Sequence, residues 1–357
     1  MFQHCVLAVL LSTTSAAMAV VPVKPAPAAP VAAPPATPAA PAATPAATPA
    51  AEATAPTDTA AIIIPAAIAA SQRALIRLQV LLDRAHFSPG VIDGKDGGNL
   101  KLAESAYRKA NKLGDADVAA MTDKLTADDT EATVKHYTIT DADVAGPFVP
   151  KLPTDMAELS KLASPAYANP VEELGERFHM DEALLQALNP GADFTKAGTV
   201  ITVADVGGGE KLPAVTRIEV DKSADSVRAY GAGGKLLAVY PATVGSTERP
   251  APSGTLKVRT VALKATYTFD PTRLTFGKKA EGKLTIQPGP NNPIGTTWID
   301  LSKDTYGIHG SPDPRLIGKR ASHGCVRLTN WDVEQLAKSV KAGALVVFSG
   351  SAKRAKT

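Results

Sequence analysis

The sequence predicts a multidomain α+β protein with a β-rich domain towards its carboxyl end. Two observations support this fold class. Apolar residues recur at helical spacing between residues 61 and 130, whereas short alternating segments of apolar and polar residues dominate from about residue 214. A chain of 357 residues has room for two or three domains. The net charge of +3 is too small to predict a nucleic-acid partner.

Residues 1–19 are predicted to be a secretory signal peptide. An apolar run from Cys5 to Leu11 is followed by small residues and an A-x-A cleavage site at residues 17–19. The run is shorter than the ~20 residues that a membrane-spanning helix needs. We therefore expect an exported protein of the periplasm or cell envelope, with no transmembrane segment after removal of the signal.

Residues 20–60 form a low-complexity linker. They contain 11 prolines among alanines and threonines. This composition lacks the apolar side chains for a packed core, so the segment is predicted to be disordered and extended. It is either a plain tail or a spacer across a cell envelope, and the residues do not decide between the two.

Residues 61–130, the first module, are predicted to be a small helical unit. Leu75, Leu78 and Leu82 lie on one helical face, and Ser88-Pro89-Gly90 marks a turn beyond the helix. A second helix is predicted from Leu102, Ala106, Lys109 and Ala110.

Residues 131–206, the second module, combine helices and strands. Helices are predicted over residues 171–178 and 180–188, the latter ended by Asn-Pro-Gly. Residues 137–140 and 197–203 are predicted to pair as strands. A glycine-rich linker over residues 204–213 leads to the last domain.

Residues 214–350 are predicted to form a domain built mainly of strands. Gly231-Ala232-Gly233-Gly234 indicates a hairpin between two of them. A helix capped by Thr329 or Asn330 is predicted to pack under the sheet. Its expected apolar face contains Val333, Leu336, Ala337 and Val340. The predicted strands are 216–220, 226–230, 236–240, 255–261, 296–301 and 344–348.

The candidate catalytic residues lie between the last two predicted strands. Cys325 is the only cysteine outside the predicted signal peptide, and His309 and His323 lie within sixteen residues of it. A thiol attacks only as its thiolate, so a neighbouring imidazole that takes the proton makes it a nucleophile. This pattern predicts thiol-based acyl transfer.

Gly324 precedes the candidate nucleophile in the sequence Ser322-His323-Gly324-Cys325. Such a polar, glycine-containing segment is predicted to be a tight surface turn whose backbone N–H groups point at one oxyanion. A metal site is the competing interpretation, but one cysteine and two histidines lack a fourth ligand. We therefore predict no metal and no cofactor.

These residues resemble the signature of the bacterial L,D-transpeptidases. That signature is a histidine, a spacer of similar length, and Ser/Thr-His-Gly-Cys followed by an apolar residue and arginine. Two earlier blocks also resemble the family, in the expected order. They are Pro252-Ser253-Gly254-Thr255 and Gly289-Pro290-Asn291-Asn292-Pro293-Ile294-Gly295.

The resemblance implies both a reaction and roles for individual residues. Cys325 would attack the carbonyl after the third residue of a peptidoglycan stem tetrapeptide, release the terminal D-alanine and form a thioester. His309, oriented by the backbone carbonyl of Gly310, would act as base and then acid. An amine of a neighbouring stem would resolve the thioester, giving a 3→3 cross-link.

The supporting residues have alternative interpretations. The N–H groups of His323, Gly324 and Cys325 are candidates for the oxyanion hole. His323 either tunes the thiol or holds the turn, and Ser322 is predicted to be a turn residue. Arg327 either binds a substrate carboxylate or anchors the loop.

The two preceding modules resemble wall-binding domains. Leu78 to Leu82 and Phe87 to Gly94 are similar to the helical peptidoglycan-binding module. The order of strand, two helices and strand in the second module resembles the lysin motif, although residues 141–164 make a longer insertion. The resemblance implies wall-binding modules, and the residues do not decide whether they bind glycan.

Four other functions remain open from the sequence. Water in place of the amine gives an L,D-carboxypeptidase, and an amine of an outer-membrane lipoprotein gives a protein ligase. A non-catalytic wall-binding protein would have the same modules with a decayed site. A generic cysteine protease also uses a Cys–His pair but acts on ordinary all-L peptides.

Overall fold

The computed structural model describes residues 64–209, 211–245, 250–272, 282–319 and 324–351. The predicted signal peptide and the predicted linker lie outside these ranges. Within them, no helix is both long enough and apolar enough to cross a membrane.

Three helices form the first module. They are α1 (Ala70–Arg84), α2 (Gly98–Ala110) and α3 (Val118–Asp128). The first two lie where the apolar periodicity predicts helices. The third was not predicted, although Asp117 caps it by accepting a hydrogen bond from the backbone N–H of Ala120 at 2.8 Å. Buried leucines of α1 and α2 pack with Met121 and Leu125 of α3.

The second module is a two-stranded sheet with four short helices between its strands. The strands β1 and β2 pair antiparallel, with Tyr137 opposite Ile201. Side chains of Asn169 and Asp181 cap the last two of these helices. The elements are β1 (Val134–Thr138), α4 (Asp141–Ala145), α5 (Met156–Leu159), α6 (Pro170–Arg177), α7 (Glu182–Leu188) and β2 (Val200–Ala204).

The two modules share a core rather than standing apart. Ile76 and Ile92 of the first module are buried in one cluster with Leu174 and Leu185 of the second. The backbones also join, because the N–H of Ile92 donates to the His179 carbonyl at 2.8 Å. The described residues from 64 onwards form one compact unit.

In the described part of the carboxyl-terminal domain, nine strands form a mixed sheet. Its strand order is β5-β4-β3-β13-β7-β10-β11-β12-β6, and β8 pairs with β9 in a separate hairpin. The strands are β3 (Val215–Asp221), β4 (Ser226–Tyr230), β5 (Leu236–Pro241), β6 (Thr243–Val244), β7 (Gly254–Leu263), β8 (Tyr267–Phe269), β9 (Leu284–Ile286), β10 (Thr297–Leu301), β11 (Gly307–His309), β12 (Val326–Arg327) and β13 (Val340–Ser349).

The sheet wraps around its core. Its two edge strands, β5 and β6, are neighbours in the chain and only Ala242 lies between them, so the opposite edges of the sheet must meet. Helix α8 (Asn330–Ala337) packs against β7, β10, β11 and β13. Its Val333 and Leu336 are fully buried in the cluster that fills the domain.

The structure contains all six predicted strands and the predicted hairpin between β4 and β5. Thr329 caps α8, accepting from the N–H of Asp332 at 3.2 Å. One prediction was wrong: Val340 is not on the helix. It begins β13 and pairs with Val215, because a helix that ends at Ala337 releases the following backbone to the sheet.

Candidate active site

Two short parallel strands bring the separated motifs together. In the pairing of β11 with β12, Ile308 lies opposite Val326 and His309 lies opposite Arg327. Ile308 and Val326 are 0% and 1% exposed, because both side chains enter the domain core. Side chains alternate along a strand, so His309 and Arg327 occupy the other face.

Cys325 precedes β12 and falls on the same face as His309. In the register of the strands it lies beside Gly307, whose backbone N–H hydrogen-bonds the sulfur. A strand spacing of about 4.8 Å and a rise of about 3.3 Å per residue place the Cα atoms of Cys325 and His309 roughly 8 Å apart. Their side chains therefore project over one patch of the sheet.

The imidazole of His309 is neutral and held in one orientation. Its Nδ1 lies 2.7 Å from the carbonyl oxygen of Gly310. A carbonyl oxygen only accepts, so Nδ1 carries the hydrogen and Nε2 keeps its lone pair. Burial, followed by the positive charge of Arg327, lowers the pKa of His309 to about 3. At neutral pH the ring is therefore available as a base.

The sulfur of Cys325 is a thiol at rest. Burial raises its pKa, while the Gly307 N–H and the charge of Arg327 act in the opposite direction. The thiol donates to the carbonyl oxygen of Thr305 across 3.5 Å. The pair is thus a neutral thiol with a neutral imidazole, and not a thiolate with an imidazolium.

Trp298 covers the imidazole from the adjacent strand. It lies opposite His309 in the pairing of β10 with β11, and the two ring centroids are 5.5 Å apart. The indole also lies on the backbone of Gly307, where an added Cβ would be 2.4 Å from the Trp298 ring. A glycine at this position therefore lets the indole exclude water from His309.

Arg327 supplies the positive charge of the site. Its Nε is buried and has no hydrogen-bond partner within the described ranges. Burial lowers its pKa, and the nearby groups that favour its charged form are Cys325 and Tyr267 of β8. A guanidinium placed in this way is available to a ligand carboxylate.

Asn330 fixes the turn that follows His309. The side-chain Oδ1 of Asn330 accepts from the Thr296 N–H at 3.1 Å. A Cβ on Gly310 would lie 2.2 Å from this oxygen, and one on Gly295 would lie 2.1 Å from it. Two glycines and one amide therefore form a close-packed contact beside the imidazole.

Comparison with known proteins assigns the catalytic domain. The sequence profile of the YkuD family, described as the L,D-transpeptidase catalytic domain, matches residues 215–348. A protein of Bacillus licheniformis provisionally named L,D-transpeptidase YkuD is 32% identical over 167 residues, which cover 46% of this chain and 84% of the relative. The chain belongs to the L,D-transpeptidase family. The family expected from the three sequence blocks is thereby confirmed.

A second named relative matches over a smaller share of its length. The Escherichia coli protein named probable L,D-transpeptidase YbiS is 30% identical over 188 residues, which cover 50% of this chain and 60% of the relative. Among solved structures, the catalytic domain of the E. faecium L,D-transpeptidase matches 38% of this chain and 96% of that domain. It is 23% identical, and its TM-score of 0.29 supports no conclusion about this chain.

The site residues predicted from the L,D-transpeptidase signature are only partly described by the structure. Cys325, His309, Gly310 and Arg327 lie together around β11 and β12. Gly324 has a φ of +112°, a conformation that favours glycine, so it bends the chain before Cys325. Residues 322 and 323, the predicted turn serine and second histidine, lie outside the described ranges.

Three residues beside the L,D-transpeptidase motif were not assigned to the site from sequence. These are Trp298, Asn330 and Glu176, and among them Asn330 was expected only to cap a helix. Glu176 of α6 was not singled out, yet its carboxylate contacts Asn330. The glycines at positions 295, 307 and 310 were the available signal, because each indicates that another group approaches the backbone closely.

Proposed function

We propose that this L,D-transpeptidase forms 3→3 cross-links in peptidoglycan through a thioester on Cys325. The observation that carries the proposal is the shared strand face on which a neutral, oriented His309 lies near Cys325. Its substrates are stem tetrapeptides, and it needs no metal or cofactor. Residues 1–19 would direct it to the periplasm, and the first and second modules would bind the wall.

Acylation begins with a proton transfer because the thiol is neutral. As Sγ of Cys325 attacks the carbonyl carbon of the third stem residue, Nε2 of His309 takes the thiol proton. The backbone N–H groups beside Cys325 would stabilise the tetrahedral oxyanion. In other enzymes one such donor contributes roughly two to three orders of magnitude in rate. The C–N bond then breaks, and His309 protonates the D-alanine amine that leaves.

Deacylation repeats these steps with another amine. The side-chain amine of a neighbouring stem attacks the thioester carbon, and His309 accepts its proton. The new amide forms as the C–S bond breaks, and the thiolate recovers the proton. Arg327 suits the carboxylate of a stem peptide, while its charge also favours the transient thiolate.

The proposal is tested by incubating the purified protein with a disaccharide-tetrapeptide and measuring intact masses. We expect an acyl adduct on Cys325 and a dimeric muropeptide, both absent for Cys325→Ala. Formation of tripeptide without dimer would show that the protein is a carboxypeptidase and not a transferase. Dimer formation only when a lipoprotein is added would indicate the ligase. If the masses of protein and muropeptide do not change and the protein still binds the wall, it is a non-catalytic wall-binding protein.

A further inference from the structure

The second module reaches the catalytic site through one buried carboxyl. Glu176 of α6 is 9% exposed and lies against the amino-terminal residue of α8, 154 positions later. The side-chain Nδ2 of Asn330 lies 3.1 Å from Oε1 and 3.0 Å from Oε2 of Glu176. It also donates to the carbonyl of Pro290 at 3.2 Å.

These bonds determine which way the Asn330 amide faces. With Nδ2 turned to the acceptors on Glu176 and Pro290, Oδ1 points to the opposite side. There it accepts from Thr296 and occupies the space that a side chain on Gly310 would fill. Reversing the amide would place its N–H groups against the Thr296 donor and its oxygen against the Glu176 carboxyl, so the two contacts together fix one orientation.

The orientation of Asn330 bears directly on the base. Oδ1 presses on Gly310, and the carbonyl of Gly310 is the group that holds Nδ1 of His309. A displaced Gly310 carbonyl would release the imidazole to rotate or change tautomer. Nε2 would then lose its fixed position, because the Nδ1–H hydrogen bond to Gly310 selects the tautomer.

A second contact of the same module supports this one. The loop before β10 rests on residues 164–166, where the Asn291 N–H donates to the Pro165 carbonyl at 3.0 Å. The Ser164 hydroxyl donates to the Pro288 carbonyl at 2.8 Å. This loop ends at Ile294, whose carbonyl interacts with His309. The second module thus holds the backbone on both sides of the imidazole.

We infer that Glu176 is a positioning residue for His309, acting through Asn330 and Gly310, so that the second module completes the catalytic site. The inference rests on the proposed function for its kinetic test but not for its spectroscopic one. The groups that face Glu176 are Glu172, Glu334, Tyr167 and Asn330. Burial and the two glutamates raise the pKa of Glu176 to about 8, so the carboxyl is largely protonated at pH 7.

The test compares two variants of full-length protein with a matched control. Glu176→Gln imitates the neutral acid and keeps the contact, whereas Glu176→Asp keeps the carboxyl but withdraws it by one methylene. Glu173→Gln removes a carboxylate of the same helix that pairs with Arg177 instead. Below pH 7 we expect wild-type kcat for Glu176→Gln and Glu173→Gln. For Glu176→Asp we expect a loss of roughly 10- to 100-fold in kcat with little change in KM.

The spectroscopic measurement needs no substrate. Nitrogen-15 NMR of the imidazoles, with His309→Gln for assignment, should show Nδ1–H alone in the wild type and mixed tautomers in Glu176→Asp. The His309 signals of the wild type should also shift near pH 8, and those of Glu176→Gln should not. This second comparison remains decisive if Glu176→Asp fails to fold.

Two results would overturn the inference. One is a His309 tautomer that is the same in all variants and insensitive to pH near 8. The other is a kcat loss in Glu176→Asp no larger than in Glu173→Gln. If neither the wild type nor any variant cross-links stem peptides but the tautomer changes as expected, the proposed reaction fails and the positioning role stands.

Discussion

Trp298 and His309 face each other across neighbouring strands, with their ring planes 22° from parallel. The indole is part of the burial that keeps the imidazole neutral. We expect Trp298→Ala to raise the pKa of His309 towards its ordinary value near ~6.5 and to lower kcat roughly tenfold, most at acidic pH. Histidine NMR titration and a pH–rate profile measure both effects. Trp298→Phe, which keeps an aromatic cover, should stay near the wild type; an unchanged pKa in Trp298→Ala would contradict this account.

The charge of Arg327 acts on both candidate catalytic groups in the same direction. It favours the thiolate of Cys325 and disfavours the imidazolium of His309, so it lowers both pKa values. Arg327→Gln should therefore raise both. We expect alkylation of Cys325 by iodoacetamide at pH 8 to slow several-fold, and the rate to keep rising to higher pH than in the wild type. Arg327→Lys, which keeps the charge, should lie closer to the wild type.

Glu176 should make the protein less stable as the pH rises. Its pKa is about 8 in the folded protein and ordinarily about 4.5, so the folded state holds a proton that the unfolded chain has lost between these values. The stabilisation is complete below pH 4.5 and is lost as the pH passes 8. Denaturant unfolding gives the free energy of unfolding at pH 5 and at pH 9. We expect its decline between these pH values to be smaller in Glu176→Gln than in the wild type, by on the order of 3 kcal/mol.

Burial and the charge of Asp83 raise the pKa of Asp332 to about 7. Asp332 should therefore contribute a similar decline in the free energy of unfolding to both proteins. The difference between wild type and Glu176→Gln therefore isolates the one carboxyl. Equal slopes in the two proteins would show that Glu176 titrates normally in the folded state.

A methyl group at Gly310 should disrupt the site by collision. An added Cβ would lie 2.2 Å from Oδ1 of Asn330, so Gly310→Ala should destabilise the protein by about 1–3 kcal/mol and reduce activity. Gly97→Ala, where the added carbon meets nothing within 4 Å, is the matched control. Thermal unfolding of Gly310→Ala, Asn330→Ala and the double variant measures the coupling. Strict additivity would mean that the two side chains do not compete for this space.

The predicted secondary structure succeeded where the chain carries a long, regular pattern. The strands β3, β4, β7 and β10 alternate apolar and polar residues over five to ten positions, and all were predicted. The strands β11 and β12 have three and two residues. Segments that short show no periodicity, so their pairing, which joins the two halves of the motif, was not predicted.

The ionisation of the catalytic pair was also beyond the sequence. A cysteine and a histidine in one motif indicate proton transfer between them, and the resemblance implied the roles of each. Whether they rest as an ion pair or as neutral groups depends on desolvation by side chains such as Trp298. Burial of these two side chains depends on how the domain packs, so it cannot be predicted from the residues next to Cys325 in the sequence.

By itself the sequence determined the family and predicted the reacting side chains and the order of the modules, because motif chemistry and local periodicity are carried by neighbouring residues. Only the tertiary structure decided that His309 is neutral, that Trp298 covers it and that Glu176 of another module contacts Asn330. Each of these depends on atoms that lie far apart in the chain and come together only when the sheet wraps and the modules share a core.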